Sequence, residues 1–193
     1  EDLDLSFFYE ECKKEGLKNN SSQNRIYDKF KVYDKHMTWI LYNNHFPVGS
    51  TVAHSFDDYE KGSFRIMATT CILSKYSTFN TNYGRMGYLA GFKKHFHPSA
   101  RFFVPACIDW CGINSNMYIT THPEKTGQMK KVHSLIMKLW EGMKLVTKVD
   151  EIEYRNSKQT VWRFDAKEFL IQVDLIPLEH DFLKVDYVRI YND

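Results

Sequence analysis

The stretch CIDWC, Cys107 to Cys111, places an acid between two cysteines that each lie two residues from it. Residues two apart on a β-strand point to the same face. Read as a strand, this stretch lines one face with Cys107, Asp109 and Cys111, and the other face with Ile108 and Trp110. Its interpretation decides the fold prediction, because the segments on either side are also typical of strands.

Short segments rich in Val, Ile, Thr, Tyr and Phe surround CIDWC and continue through most of the chain. Turn residues such as Pro47, Gly49 and Pro123 separate them. Many short strands at this spacing are typical of a β-sandwich or barrel. The predicted strands are Phe30–Tyr33, His36–Tyr42, Ser63–Leu73, Gly87–Phe92, Arg101–Trp110, Met117–Thr121, Lys144–Val149, Glu151–Tyr154, Thr160–Phe164, Glu168–Val173 and Phe182–Tyr191.

Two segments depart from the strand pattern. Asp4–Lys18 predicts a short helix with Gly16 near its end, followed by a polar loop. Thr126–Gly142 places apolar residues at helical spacing, although an irregular excursion between strands fits it as well. We predict a single domain over residues 1–193, in which residues 1–30 form a peripheral helix and loop.

The composition and the distribution of charge limit the kinds of partner that the sequence predicts. Of the 193 residues, 43% are hydrophobic and 26% are charged, and the net charge is +2. Basic residues are scattered rather than clustered, so no nucleic-acid partner is predicted. No apolar run approaches the length of a membrane span. No metal or cofactor is predicted: the cysteine spacing is not that of a zinc site, and His95 with His97 lacks a third ligand.

Four stretches in order resemble family 16 glycoside hydrolases, the β-glucanase, agarase and carrageenase group. They are Gly62 to Phe92 with its YGRMGY, Pro105 to His122, Lys148 to Phe169, and the terminal KVDYVRIYND. The resemblance covers roughly residues 55–193. It implies an all-β fold, a concanavalin-like β-sandwich (jelly roll) of two antiparallel sheets. It also implies an extracellular or periplasmic location and a polysaccharide or oligosaccharide partner.

The resemblance gives CIDWC a specific meaning. The family's central strand reads Glu-x-Asp-x-Glu, and a retaining hydrolase needs two carboxylates about 5–5.5 Å apart. Cys107 and Cys111 stand at the glutamate positions, and Asp109 remains as the middle acid. This predicts a cleft that binds glycan with impaired hydrolysis. The alternative is that both cysteines simply fill the core, as small apolar side chains do.

The remaining predicted site residues are aromatic or polar. Trp39 and Trp162 are candidate platforms for the apolar face of a sugar ring. Asn116 and Tyr118 would line the cleft beside Asp109. His122 matches a family histidine on the neighbouring strand. Core packing is the alternative for Trp162, and a strand-end histidine before a proline turn is the alternative for His122.

Two other functions stay open. One is an active glycoside hydrolase that draws on other acids, such as Asp109 with Glu151 or Glu153. The other is an interaction or structural β-sandwich module whose groove is filled. The leading interpretation predicts that β-1,3-glucan, mixed-linkage glucan and agarose are not hydrolysed above background.

Overall fold

The structure is a computed structural model that describes residues 6–14, 33–43, 45–73, 102–122, 137–174 and 187–191. Strands predominate over helices in these ranges. The predicted all-β fold is therefore confirmed only in the coarser form of a largely β protein. In chain order the elements are α1 (Ser6–Lys14), β1 (His36–Asn43), β2 (Phe46–Ser55), β3 (Phe64–Ile72), α2 (Val104–Cys111), β4 (Met117–Thr121), α3 (137–142), β5 (Val146–Tyr154), β6 (Ser157–Phe164), α4 (Ala166–Asp174) and β7 (Tyr187–Tyr191).

The described strands form one seven-stranded sheet in the order β5-β6-β4-β3-β2-β1-β7. Every neighbouring pair is antiparallel except β3 and β4, which run parallel and are connected through α2. A parallel pair needs such a crossover, because a tight turn cannot join parallel strands. The arrangement in two antiparallel sheets stays a prediction, since all of the described strands belong to this one mixed sheet.

Three helices, α2, α3 and α4, pack against one face of the sheet, which we call the helical face. The core between them joins sheet residues such as Trp39, Ile66 and Ile119 to helix residues such as Cys107 and Trp140. The opposite face carries polar side chains at its centre, and we call it the polar face. Cross-strand partners point to the same side, which places His36, His54 and Arg65 together there.

The prediction of a strand at Arg101–Trp110 is wrong, because CIDWC lies in helix α2. The buried residues are Val104, Cys107, Ile108 and Cys111, which follow the i, i+3, i+4, i+7 spacing of a helix. Pro105 fits the first turn, where a missing N–H costs nothing. Gly112 ends the helix with a φ of 90°, and its N–H donates to the Ile108 carbonyl at 2.9 Å.

The prediction of a strand at Glu168–Val173 is also wrong, because this segment lies in helix α4. Asp165 precedes the helix, and its Oδ1 accepts the backbone N–H of Glu168 at 2.9 Å. An acid in this position satisfies one of the unpaired amides of the first turn. Ala166 and Phe169 are buried against the sheet, so one side of the helix completes the core.

Other predicted elements agree with the structure. Helix α1 lies within Asp4–Lys18, α3 lies within Thr126–Gly142, and β1, β3 and β4 match predicted strands within two residues. The prediction missed β2, and β5 is one strand where two were expected. Gly87–Phe92, His95, His97 and residues 182–186 lie outside the described residues.

Candidate functional site

The residues predicted from CIDWC do not form a relic catalytic strand. Asp109 is exposed on α2, whereas Cys107 is fully buried and Cys111 is 8% exposed. Burial raises the pKa of the Cys107 thiol to about 12, so this group stays protonated and apolar at neutral pH. The structure therefore agrees with the alternative interpretation, in which Cys107 and Cys111 simply fill the core.

Trp39 was predicted as a sugar platform, and that prediction is wrong because its ring is only 1% exposed. It packs edge to face on Trp110 with ring centroids 5.9 Å apart. Trp162 is half-buried, packs against the core of the helical face, and donates from Nε1 to Thr121 Oγ1 at 3.0 Å. His122 follows the last residue of β4 and is half-buried. Of the two predicted platforms, Trp39 lies in the core and Trp162 is half-buried against it.

The side chains of Asn116 and Tyr118 meet at Glu60, a residue that the sequence analysis did not predict as part of a site. Asn116 Nδ2 donates to Glu60 Oε2 at 2.9 Å, and the Tyr118 hydroxyl donates to the same oxygen at 3.0 Å. Tyr59 packs edge to face on Tyr118, 5.0 Å between centroids. This group forms a carboxylate held between an amide, a phenol and an aromatic ring.

A second feature lies at the centre of the sheet, between the parallel strands β3 and β4. They pair at Phe64 with Met117 and at Arg65 with Tyr118, and then the pairing stops. β3 nevertheless continues to Ile72 and β4 to Thr121. We call the region between residues 66–68 of β3 and residues 119–121 of β4 the β3–β4 cleft. It lies toward the carboxyl ends of both parallel strands.

The β3 side of the cleft is a bulge. Ile66, Met67 and Ala68 have no register partner on β4, and none on β2 either, because the β2–β3 register shifts there. Met67 has a φ of 51°, a left-handed conformation that side chains rarely adopt. Its backbone amide contacts the sulfur of Cys107, which ties the bulge to α2. Bulges and strained residues of this kind concentrate next to functional sites.

Arg65 stands at the point where the two strands separate, with its side chain on the polar face. It is 8% exposed, and burial lowers the pKa of its guanidinium to about 10, so the group stays charged at neutral pH. Its Nε donates to Thr120 Oγ1 at 2.8 Å, and its Nη1 donates to His54 Nε2 at 3.4 Å. The Tyr154 ring lies beneath it, 5.1 Å from the guanidinium carbon.

His54 is buried beside Arg65 and carries no charge at neutral pH. Its Nδ1 donates to the Ser55 carbonyl at 2.6 Å, which leaves Nε2 as an acceptor for the guanidinium. Burial lowers the pKa of His54 to about 3, and the charge of Arg65 acts in the same direction. The ring stacks on Tyr33 with centroids 3.9 Å apart.

The β5–β6 hairpin brings a second guanidinium to this group. Arg155 and Asn156 both have positive φ, 51° and 58°, as the two-residue turn of a tight hairpin requires. Asn is common in such a turn and Arg is not. Arg155 lies over the rings of Tyr33 and Tyr154, each 5.3 Å from its guanidinium carbon, and donates to the Tyr33 hydroxyl, which also bonds the Tyr154 hydroxyl.

Sequence reasoning missed this polar group, although two signals were present. Arg65 is the single charged residue of the strand FRIMATTCI, and a charged residue in a largely buried strand needs a reason to be there. Arg155-Asn156 sits between two strand-like segments at the spacing of a two-residue hairpin. Neither signal says that the two arginines meet, because that depends on β6 inserting between β5 and β4.

Comparison with protein-family models, with curated proteins and with solved structures gives no match to this chain. Within the described ranges, no three His, Cys, Asp or Glu residues are grouped closely enough to hold a metal ion. No helix among the described elements is long and apolar enough to cross a membrane.

Proposed function

We propose that the β3–β4 cleft binds the pantetheine arm of a coenzyme A thioester, and that the protein is an acyltransferase. The observation that carries the proposal is that two parallel strands stop pairing in the middle of the sheet while both continue. Backbone N–H and C=O groups that lose their ladder partner need another one. An extended ligand with amide groups can supply it by pairing with the exposed strand edges.

The shape of the cleft favours an unbranched ligand. On the helical face, Ile66 and Ile119 belong to the packed core. On the polar face, the Arg65 side chain reaches across to Thr120. A peptide strand would project side chains toward both faces, where this packing leaves them little room. From the pantoyl amide to the thiol, the pantetheine arm carries a pair of amides on a chain without side groups, and this part suits a narrow cleft between strands.

The proposed reaction moves an acyl group from sulfur to an acceptor nitrogen or oxygen. The acyl carbon forms a bond to the acceptor and its bond to sulfur breaks, so that the acceptor loses a proton and the coenzyme leaves as a thiol. Fixed backbone donors at a strained bulge are suited to stabilising charge on an acyl oxygen. Because the Met67 amide contacts Cys107, the candidate donors in the bulge are the amides of Ile66 and Ala68, which have no register partner on β2 or β4.

The experiment is calorimetric titration of the full chain with a series of fragments. In phosphate buffer, which occupies any anion site equally in every titration, we expect coenzyme A and pantetheine to bind, and adenosine 3′,5′-bisphosphate, which has the nucleotide without the arm, to bind much more weakly. Release of free thiol from acetyl-coenzyme A in the presence of an amine panel then tests transfer. Absence of binding by both coenzyme A and pantetheine would refute the proposal, as would equal binding of the bisphosphate.

Binding of polysaccharide is a second candidate, and the two-sheet jelly roll implied by the sequence resemblance belongs with it. It is favoured by the group in which Asn116 and Tyr118 converge on Glu60 beside the Tyr59 ring. A carboxylate next to an aromatic ring can bind hydroxyls while the ring covers the apolar face of a sugar. Titration with β-1,3-glucan and agarose oligosaccharides, repeated on Glu60→Gln, tests it; no heat of binding would exclude this candidate.

A further inference from the structure

We infer that the polar face contains a binding site for an oxyanion, a carboxylate or phosphate group of a small molecule, centred on Arg65 and rimmed by Arg155. The site is distinct from the β3–β4 cleft, and the inference does not depend on the acyl donor. It rests on the burial of Arg65, on what its donors contact, and on the position of the second guanidinium.

Arg65 is a buried charge without a buried counter-charge. A guanidinium has five N–H groups, and here Nε contacts Thr120 and one Nη1 hydrogen contacts His54. Among the described residues no carboxylate forms an ion pair with Arg65. Buried arginines are normally paired, since an isolated charge in a protein interior is costly. The donors left over by Thr120 and His54 are therefore available to an anion.

The described groups that contact Arg65 are Thr120, the neutral His54 and the Tyr154 ring, and none of them carries a negative charge. His54 is neutral, and its one acceptor nitrogen is already directed at Arg65. The Tyr33 and Tyr154 hydroxyls bond to each other, and Arg155 donates to Tyr33. Both guanidinium groups lie over the Tyr154 ring, at 5.1 and 5.3 Å. Two positive charges that share one ring repel each other, and a bound anion relieves that repulsion.

The site has a route to solvent. Arg155 is exposed, Tyr33 is half-buried, and Arg65 is 8% exposed to solvent. An anion entering past the hairpin turn would meet Arg155 first and then the planar edge of Arg65. Guanidinium groups bind carboxylate and phosphate oxygens through paired N–H donors, which gives both affinity and orientation.

The test is thermal denaturation and calorimetry of the full chain with sodium phosphate and, separately, with sodium acetate and succinate, at constant ionic strength set with chloride. We expect saturable binding of one anion per chain. Binding of phosphate alone would identify a phosphate site, and binding of the carboxylates alone would identify a carboxylate site. If none of them binds more tightly than chloride, the inference is wrong.

Variants locate the binding. Arg155→Asn keeps a residue suited to the turn and should weaken binding at least threefold, and Arg65→Gln should weaken it at least tenfold. Lys148→Gln is the matched control, because Lys148 is an exposed cation on the same hairpin, bonded to Glu151. If Arg65→Gln does not fold, Arg155→Asn decides alone. Unchanged affinity in Arg155→Asn, or an equal loss in Lys148→Gln, would overturn the assignment.

Discussion

Arg65 donates from Nε to the hydroxyl oxygen of Thr120 at 2.8 Å, just past the last residue pair that joins β3 to β4. This contact links the two parallel strands where their backbones no longer pair. It also separates the two proposed sites, because the cleft lies between the strands and the oxyanion site lies on the polar face. The contact should therefore matter for stability as well as for binding.

Replacing Thr120 with Val should destabilise the protein by about 2 kcal/mol, because a buried charged donor loses its acceptor. Thr120→Ser restores the hydroxyl and should recover most of the loss. Thr121→Val is a matched control, since the described partner of the Thr121 hydroxyl is the neutral, half-buried Trp162 indole. Urea denaturation measures all three. A Thr120→Val effect no larger than that of Thr121→Val would contradict the role given to the contact.

His54 should make stability depend on pH in a predictable direction. Its pKa is about 3 in the folded protein against an ordinary 6.5, because burial with Arg65, Arg155 and His36 nearby disfavours the charged form. The unfolded chain therefore binds an extra proton between these values, and stability falls as pH drops below 6.5. The slope from this residue approaches about 1.4 kcal/mol per pH unit.

The pH effect can be isolated with His54→Asn, whose amide can still donate to the Ser55 carbonyl. Between about pH 6.5 and 5.5 most carboxylates stay ionised, so His54 dominates the difference between variant and wild type. Wild type should lose stability over this interval more steeply than His54→Asn. Parallel curves in denaturant titrations at the two pH values would show that His54 is not buried as a neutral group. His45→Asn, at an exposed position, is the control.

Helix α2 explains why the sequence was misread at CIDWC. Its β-branched and aromatic residues, with the alternation of cysteine and acid, favour a strand when the stretch is read alone. The helical signal needs a longer window, from Val104 to Cys111, in which every buried residue falls on one helical stripe. The resemblance to a catalytic strand also favoured a two-residue strand repeat over the helical one. The site roles predicted for Asp109 and the cysteines depended on that strand repeat.

Elsewhere, the sequence pattern within a single segment was enough to predict the element correctly. β1, β3 and β4 are short, apolar and bounded by turn residues, and their prediction holds. β2 was missed because Pro47 and Gly49 read as a turn, yet Pro47 lies near the strand's first residue, where its missing N–H is tolerated. Asp165 followed three residues later by Glu168 is a helix-start signal, and it indicates α4 although the segment was predicted as a strand. The cleft and the pairing of Arg65 with Arg155 depend on strand order, which no local pattern contains.

Substitutions in α2 should distinguish the helix from a groove-lining strand. Cys107→Glu places an unpaired acid in the core and should cost about 3 kcal/mol or more. Asp109→Glu changes an exposed helix position and should stay within about 0.5 kcal/mol of wild type. Thermal midpoints at neutral pH measure both. A tolerated Cys107→Glu would mean that an open groove covers this position.

The buried thiols should resist alkylation in the native state. Burial raises the pKa of Cys107 to about 12 and raises that of Cys111 as well, so little reactive thiolate forms at mildly alkaline pH. Iodoacetamide followed by peptide mass mapping should leave both unmodified until denaturant is added. Rapid native labelling of either cysteine would show that α2 does not pack on the sheet as described.

Hydrogen exchange of the full chain with and without coenzyme A tests the central claim most directly, because it reports on backbone groups. We predict that in phosphate buffer, which keeps the proposed oxyanion site equally occupied in every sample, coenzyme A slows exchange in peptides covering β3 (Phe64–Ile72) and β4 (Met117–Thr121), while the β5–β6 hairpin, residues 146–164, is unchanged. Adenosine 3′,5′-bisphosphate at the same concentration should not slow exchange in β3 and β4. If saturating coenzyme A leaves exchange in β3 and β4 unaltered, the cleft is not the binding site of a thioester arm.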